Sequence, residues 1–163
     1  MEPEEATAID VSQLGGPIGD DGIPLADREA ARRLARAYAL GVDRRDEALV
    51  ASLFTDDAVI AGTLRTASAS EYVPELIAGA SRFAATQHHI TNQYVVRADD
   101  DLIVHSYAVA LHFGTAGGAS EGGPSDLAMG VEYRDRARRT DTGWLISHRH
   151  TVTRWTRRGT LGR

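Results

Sequence analysis

Six histidines and one oddly placed carboxylate are the side chains of this sequence best equipped to move protons. The carboxylate is Asp43. It closes the stretch Tyr38-Ala-Leu-Gly-Val-Asp43, which Arg44-Arg45-Asp46 follows, at the point where an amphipathic helix should end. Carboxylates are disfavoured at the negative end of a helix dipole, so Asp43 calls for a compensating partner. The alternative is a turn residue making local hydrogen bonds. An imidazole could be that partner and would serve as a general base near neutral pH, but spacing alone pairs Asp43 with none of the six.

Strand parity sorts the histidines. Adjacent residues of a strand point to opposite faces, so His88 and His89 cannot share one site. His88 falls with Ile90, Asn92, Tyr94 and Val96. His105 falls with Tyr107, Val109, Leu111 and Phe113, which leaves His112 on the other side. In the last strand Ser147, Arg149 and Thr151 go one way, and His148 and His150 the other. The His148/His150 pair has metal-ligand spacing but no third ligand to support it, so no metal site is expected. Arg149 lies in an apolar-flanked strand, and a buried guanidinium there needs a carboxylate or a string of acceptors.

The elements that must hold these groups can be read from the pattern. Residues 1–24 are acidic and rich in Gly and Pro, with a break at Gly15-Gly16-Pro17, and read as a loose lead-in. Asp27 reads as the N-cap of a helix whose apolar stripe is Ala31, Leu34, Ala35, Tyr38 and Val42. Gly41 weakens that helix and could end it before Asp43. A regular helix turns about 140° over five residues, so an early end is what would let Tyr38 and Asp43 face one site. A second helix is expected from Asp46, burying Leu49, Val50, Leu53 and Phe54. Thr55-Asp56-Asp57 reads as a turn and Ala58-Val59-Ile60 as a short strand. A third helix, capped by Ser68 or Ser70, runs to about Phe83, with Pro74 tolerable only near its first turn. Strands are then predicted at His88–Val96, Leu102–Phe113, Leu127–Arg138 and Trp144–Trp155. They are joined by Asp99-Asp100-Asp101, the glycine-dense stretch Gly114–Pro124 and Asp141-Thr-Gly143. Helices followed by an antiparallel meander make an α+β domain.

Composition excludes several classes. The chain has 163 residues, enough for one domain with a substantial core. It has no cysteine, which removes disulfides and thiolate sites. The net charge is −5. The C-terminal Arg154, Arg157, Arg158 and Arg163 read as a solvated tail, not a nucleic-acid face. No membrane span and no signal peptide is recognisable, so a cytoplasmic protein is expected.

Several motifs lie in one register: Gly41-Val42-Asp43-Arg44-Arg45; Leu53-Phe54-Thr55-Asp56-Asp57-Ala58; His88-His89-Ile90-Thr91-Asn92; Tyr133-Arg-Asp135 with Arg138 and Gly143-Trp144; and Ile146-Ser-His148-Arg149. Together they resemble the SnoaL-like branch of the nuclear transport factor 2 superfamily over about residues 25–157. The resemblance implies a cone-shaped α+β barrel: three helices closing a curved antiparallel sheet around a cavity, with residues 1–24 and 158–163 as tails. The pattern is similar to hexachlorocyclohexane dehydrochlorinase, bile acid 7α-dehydratase and scytalone dehydratase. By position it implies an Asp43–His88 acid–base pair, with Tyr38 and Arg149 accessory. A second, scytalone-type histidine would align near Phe113, not on His112.

What the resemblance implies is a dehydratase that uses no cofactor and eliminates water from a small, mostly apolar substrate of polyketide, terpenoid or steroid type. His88 would be the base. Tyr38 would donate to a departing hydroxyl, and Arg149 would orient Asp43 or meet an oxyanion. Tyr94, Tyr107, Val109 and Leu111 are expected to line the cavity. A polyketide cyclase or double-bond isomerase would need similar groups, and a binding or assembly module could keep the cone without turnover. The family relation further implies a homodimer or homotrimer.

Overall fold

A computed structural model describes residues 2–14, 21–115 and 125–159. The Gly15-Gly16-Pro17 break, most of the glycine-dense stretch Gly114–Pro124 and the end of the C-terminal tail lie outside the described residues.

The long helix that carries Asp43 is α2, Leu25–Arg44. It follows a four-residue helix, α1 (Pro3–Ala6), and a 3₁₀ turn at Val11–Leu14. Ala31, Leu34, Ala35, Tyr38, Ala39 and Val42 are buried along one side of α2, while Arg33, Arg36, Leu40 and Arg44 face water. Its N-cap is Pro24. Asp27 instead sits in the first turn, where its Oδ1 accepts hydrogen bonds from the Trp144 indole at 2.9 Å and Arg139 at 2.6 Å. Gly41 does not end the helix. A Cβ there would stand 2.6 Å from Cγ2 of Val50, so its bare backbone is what lets α3 (Glu47–Ala51) pack closely. Arg45, at φ 59° and ψ 29°, makes the left-handed cap.

After α3 the chain enters β1 (Phe54–Ala61), so Phe54 and Thr55-Asp56-Asp57 belong to a strand and not to a helix and turn. β2 is Thr66–Ser68, and α4 is Ala69–Ala80 with the Ser68 hydroxyl capping it by accepting from the Glu71 amide. Pro74 lies inside α4, past its first turn. Four long strands follow: β3 (Ala85–Ala98), β4 (Asp101–Phe113), β5 (Asp126–Thr140) and β6 (Gly143–Gly159).

The sheet order is β2-β1-β6-β5-β4-β3. β3 to β6 form the expected antiparallel meander, but β1 runs parallel to β6, which makes the sheet mixed. The sheet is curved and unclosed, with α2 and α4 packed on its inner face. That face carries Ala108, Ala110, Val131, Tyr133 and Ile146 in the main core.

One bulge decides what β3 shows the interior. The β3–β4 register slips by one residue between Thr91 and Tyr94, with Asn92 at φ 45°. Before the slip His88 and Ile90 point inward. After it Val95 does, and Tyr94 points outward.

The free edge of β3 is occupied by side chains from the N-terminal elements. Arg28 donates to the Val95 carbonyl at 3.3 Å and Arg32 to the Gln93 carbonyl at 3.4 Å. The Gln13 amide accepts from the Arg97 N–H at 3.1 Å and donates to the Arg97 carbonyl at 3.2 Å. Residues 2–14, read from the sequence as loose, thus lie against the outer face. There His105 Nε2 stands 2.9 Å from the Thr7 carbonyl.

Candidate functional site

Asp43 is in the last turn of α2, and its side chain reaches the start of β3. Its Oδ1 lies 2.7 Å from Nδ1 of His88, and its Oδ2 accepts the His88 backbone N–H at 3.0 Å. A third hydrogen bond comes from the Thr86 hydroxyl to Oδ1 at 2.9 Å. These donors are the compensation that a carboxylate at this end of a helix requires. The His88 side chain is only 6% exposed. Because Oδ1 can only accept when Asp43 is ionised, the neutral His88 carries its proton on Nδ1 and leaves Nε2 as a free base.

A residue that sequence reasoning set aside joins them. His112 pairs with Thr86 across β3 and β4, so it shares the inner face with His88, and the two imidazole centroids are 5.5 Å apart, edge to face. Phe83 packs on its other side, with ring centroids at 4.9 Å. Burial holds the His112 pKa below the usual histidine value, and the neighbouring His88 adds to the effect. Its Nδ1 is buried with no hydrogen-bond partner. His112, and not Phe113, is therefore the residue at this end of β4 that stands beside His88. Phe113 is odd-numbered on β4, and the inner face takes the even positions from Leu102 to His112.

Arg149 and Tyr38 form a separate knot deeper in the core. Arg149 is 1% exposed and gives Nε and Nη2 to the two oxygens of Asp135 at 2.6 and 2.7 Å. Its guanidinium stacks on Tyr38 at 4.1 Å and on Tyr133 at 4.7 Å, while Nη1 is buried without a hydrogen-bond partner. Burial alone would favour neutral Arg149, but the Asp135 carboxylate outweighs it and raises the pKa above the ordinary value. Orientation of Asp43 therefore falls to Thr86 and the His88 amide, not to Arg149. Burial pushes the Tyr38 phenol up to about 12, which keeps it a hydrogen-bond donor. Tyr38 and Asp43 lie on one unbroken helix and point to different strands: Tyr38 to Tyr133 and Arg149, Asp43 to Thr86 and His88. The curl of the sheet receives both directions.

The four residues expected to line the cavity are corrected. Tyr94, Tyr107, Val109 and Leu111 lie on the outer face, where the first three are 41%, 44% and 37% exposed. Two causes act. The Asn92 bulge turns Tyr94 outward, and the inner positions of β4 go to the small residues Ser106, Ala108 and Ala110 beneath the helices. Tyr94 and Tyr107 instead border an outer groove of about 560 Å³, shared with Glu4, Ile9, Leu14 and Glu132. His148 and His150 are also on the outer face, opposite Arg136 and Arg134. Among the described residues no three His, Asp or Glu side chains gather into a metal-binding set. No helix among them is long and apolar enough to cross a membrane.

A family model described as the SnoaL-like domain matches residues 24–150. The solved structure of the Kfla4162 protein from Kribbella flavida is 25% identical, with a TM-score of 0.71 over 81% of this chain and 93% of its own. A type 2 hexachlorocyclohexane dehydrochlorinase is 22% identical, with a TM-score of 0.72 over 85% and 93%. A scytalone dehydratase-like protein from Novosphingobium aromaticivorans is 22% identical, with a TM-score of 0.70 over 85% and 95%. Among curated proteins none matches this sequence. The shared architecture is the NTF2-like cone.

Proposed function

This chain belongs to the SnoaL-like family, and from that premise we propose that it is a lyase, specifically a dehydratase acting on a small, mostly apolar substrate. The observation that carries the reading is the 2.7 Å bond between Asp43 and His88 Nδ1 on a carboxylate already held by Thr86. His88 Nε2 takes the acidic proton beside a carbonyl. The electron pair left behind forms the double bond and expels a neighbouring hydroxyl, which takes the proton back from the His88 imidazolium and leaves as water; Asp43 stabilises that imidazolium while it exists. His112 Nδ1 is free to accept a hydrogen bond from a substrate hydroxyl. Tyr38, packed on Arg149 and Tyr133, stands apart from this pair and is given no part in the step. The dehydrochlorinase and scytalone dehydratase-like neighbours are named for eliminations, which supports this class of reaction.

The test is a panel of β-hydroxy ketones, followed by the rise of conjugated-enone absorbance and by loss of one water in the mass spectrum. Asp43→Asn and His88→Ala should each lower turnover by about 10²–10⁴-fold with an unchanged circular dichroism spectrum. Full activity in the His88 variant would sink the proposal. A product of unchanged mass would point to the isomerase reading of the same base.

A further inference from the structure

Arg45 does more than cap a helix. Its left-handed backbone turns the side chain back across the end of α2, where Nη1 lies 2.9 Å from the Val42 carbonyl and 3.1 Å from the Asp43 carbonyl. The same nitrogen donates to the Thr86 hydroxyl oxygen at 2.7 Å. Thr86 is buried, and its hydroxyl has one proton to give. Arg45 has no acceptor, so it must donate to Thr86 Oγ1, and the Thr86 proton is left pointing at Asp43 Oδ1, 2.9 Å away. The direction of the Thr86 proton is thereby determined, and a cation stands two hydrogen bonds from the carboxylate.

We propose that Arg45 and Thr86 are positioning residues that set the basicity of His88. This rests on the acid–base pair proposed above. A carboxylate that already accepts a polarised hydroxyl has less charge to offer the imidazolium, and hydrogen bonds in such a chain reinforce one another. Two effects follow. Asp43 stays ionised and keeps the His88 proton on Nδ1. The His88 imidazolium is stabilised less than by a bare carboxylate, so Nε2 gives its proton up again and the base resets. The Arg45 charge acts in the same direction.

The test does not need the substrate. Long-range ¹H–¹⁵N NMR of the full chain follows the tautomer and the titration of His88 in Thr86→Val, Thr86→Ser and Arg45→Met. Thr86→Val should raise the His88 pKa by about one unit, Thr86→Ser should restore it, and Arg45→Met should raise it in the same direction. His88 should show the Nδ1–H tautomer in the unaltered protein. Where a substrate is in hand, the acid limb of its pH profile, where the base is lost to protonation, should move with the NMR value. An unchanged His88 titration in folded Thr86→Val and Arg45→Met would overturn the proposal, even if both variants melt earlier. Because Arg45→Met leaves buried Thr86 in place, it decides the matter if the valine variant does not fold. A shifted titration together with full activity in His88→Ala would keep this relay and refute the dehydratase mechanism.

Discussion

Burial disfavours the charged form of the His112 imidazole and lowers its pKa, and the same cause, also first in importance, lowers the pKa of His105 and His148. For His105 it outweighs the Thr7 carbonyl and the Glu132 carboxylate that face its two nitrogens. A histidine whose native pKa lies below its unfolded value of 6.5 binds fewer protons folded than unfolded below that pH. Stability should therefore be full above about 6.5 and fall as the pH drops from there toward the native pKa. Replacing His112 by Asn should flatten the acid slope by up to about one proton's worth, read as urea midpoints between pH 7.5 and 5; an identical slope would place the proton uptake elsewhere. The position of His112 was not legible beforehand for a physical reason. Tyr107, Val109, Leu111 and Phe113 are the larger and more apolar set on β4, so the binary pattern assigns the interior to them. The interior beneath α2 has room only for Ser106, Ala108 and Ala110, with His112 at the end of that row. Asp43 and His88 were legible because their register is set by motifs at both ends of the pair, and Arg149 was rightly read as needing a carboxylate, although no pattern named Asp135.

At the scale of elements, the close approach of α2 and α3 is what aims the Asp43 turn at β3. Alanine at Gly41 would bring a methyl group 2.6 Å from Val50 Cγ2. The single variant should lose about 1–3 kcal/mol in chemical denaturation despite alanine's better helix propensity, and Val50→Ala should recover part of that loss in the double variant. Additive losses would show that the two positions do not meet. α2, α3, α4 and the strands β3 to β6 were anticipated to within a few residues, largely because apolar periodicity survives over ten or more positions, whereas the short α1 lay in a stretch read as loose. What escaped were features that break the period. The bulge at Asn92 moves Tyr94 to the other face, and Gly41, locally a helix weakener, answers to a neighbour that is remote from its own turn. The parallel pairing of β1 with β6 is likewise invisible to any local pattern, since Phe54 and Ile146 meet only in the folded sheet.

At the scale of the molecule, the two faces of the sheet are covered differently. Its inner face carries His88 and His112, with Asp43 of α2 bonded to the first, and its outer face carries residues 2–14 near Val96, Ile103 and His105, which are 2%, 1% and 7% exposed. Removing residues 2–14 should lower the urea midpoint and raise dye binding at the uncovered apolar surface, while the His88 tautomer is unchanged; a lost tautomer would mean that the two faces are coupled. The free edge of β3 has a further consequence. An unpaired strand edge is a template on which another chain can add. Here several of its hydrogen-bonding groups are engaged: the His88 N–H by Asp43, the Gln93 and Val95 carbonyls by arginines of α2, and both groups of Arg97 by Gln13. The opposite edge is β2, three residues long. The long edge of the sheet is thus partly covered, and one of the groups covering it is the carboxylate proposed to support the His88 base. Selection against aggregation and selection for reactivity would then act on the same side chain.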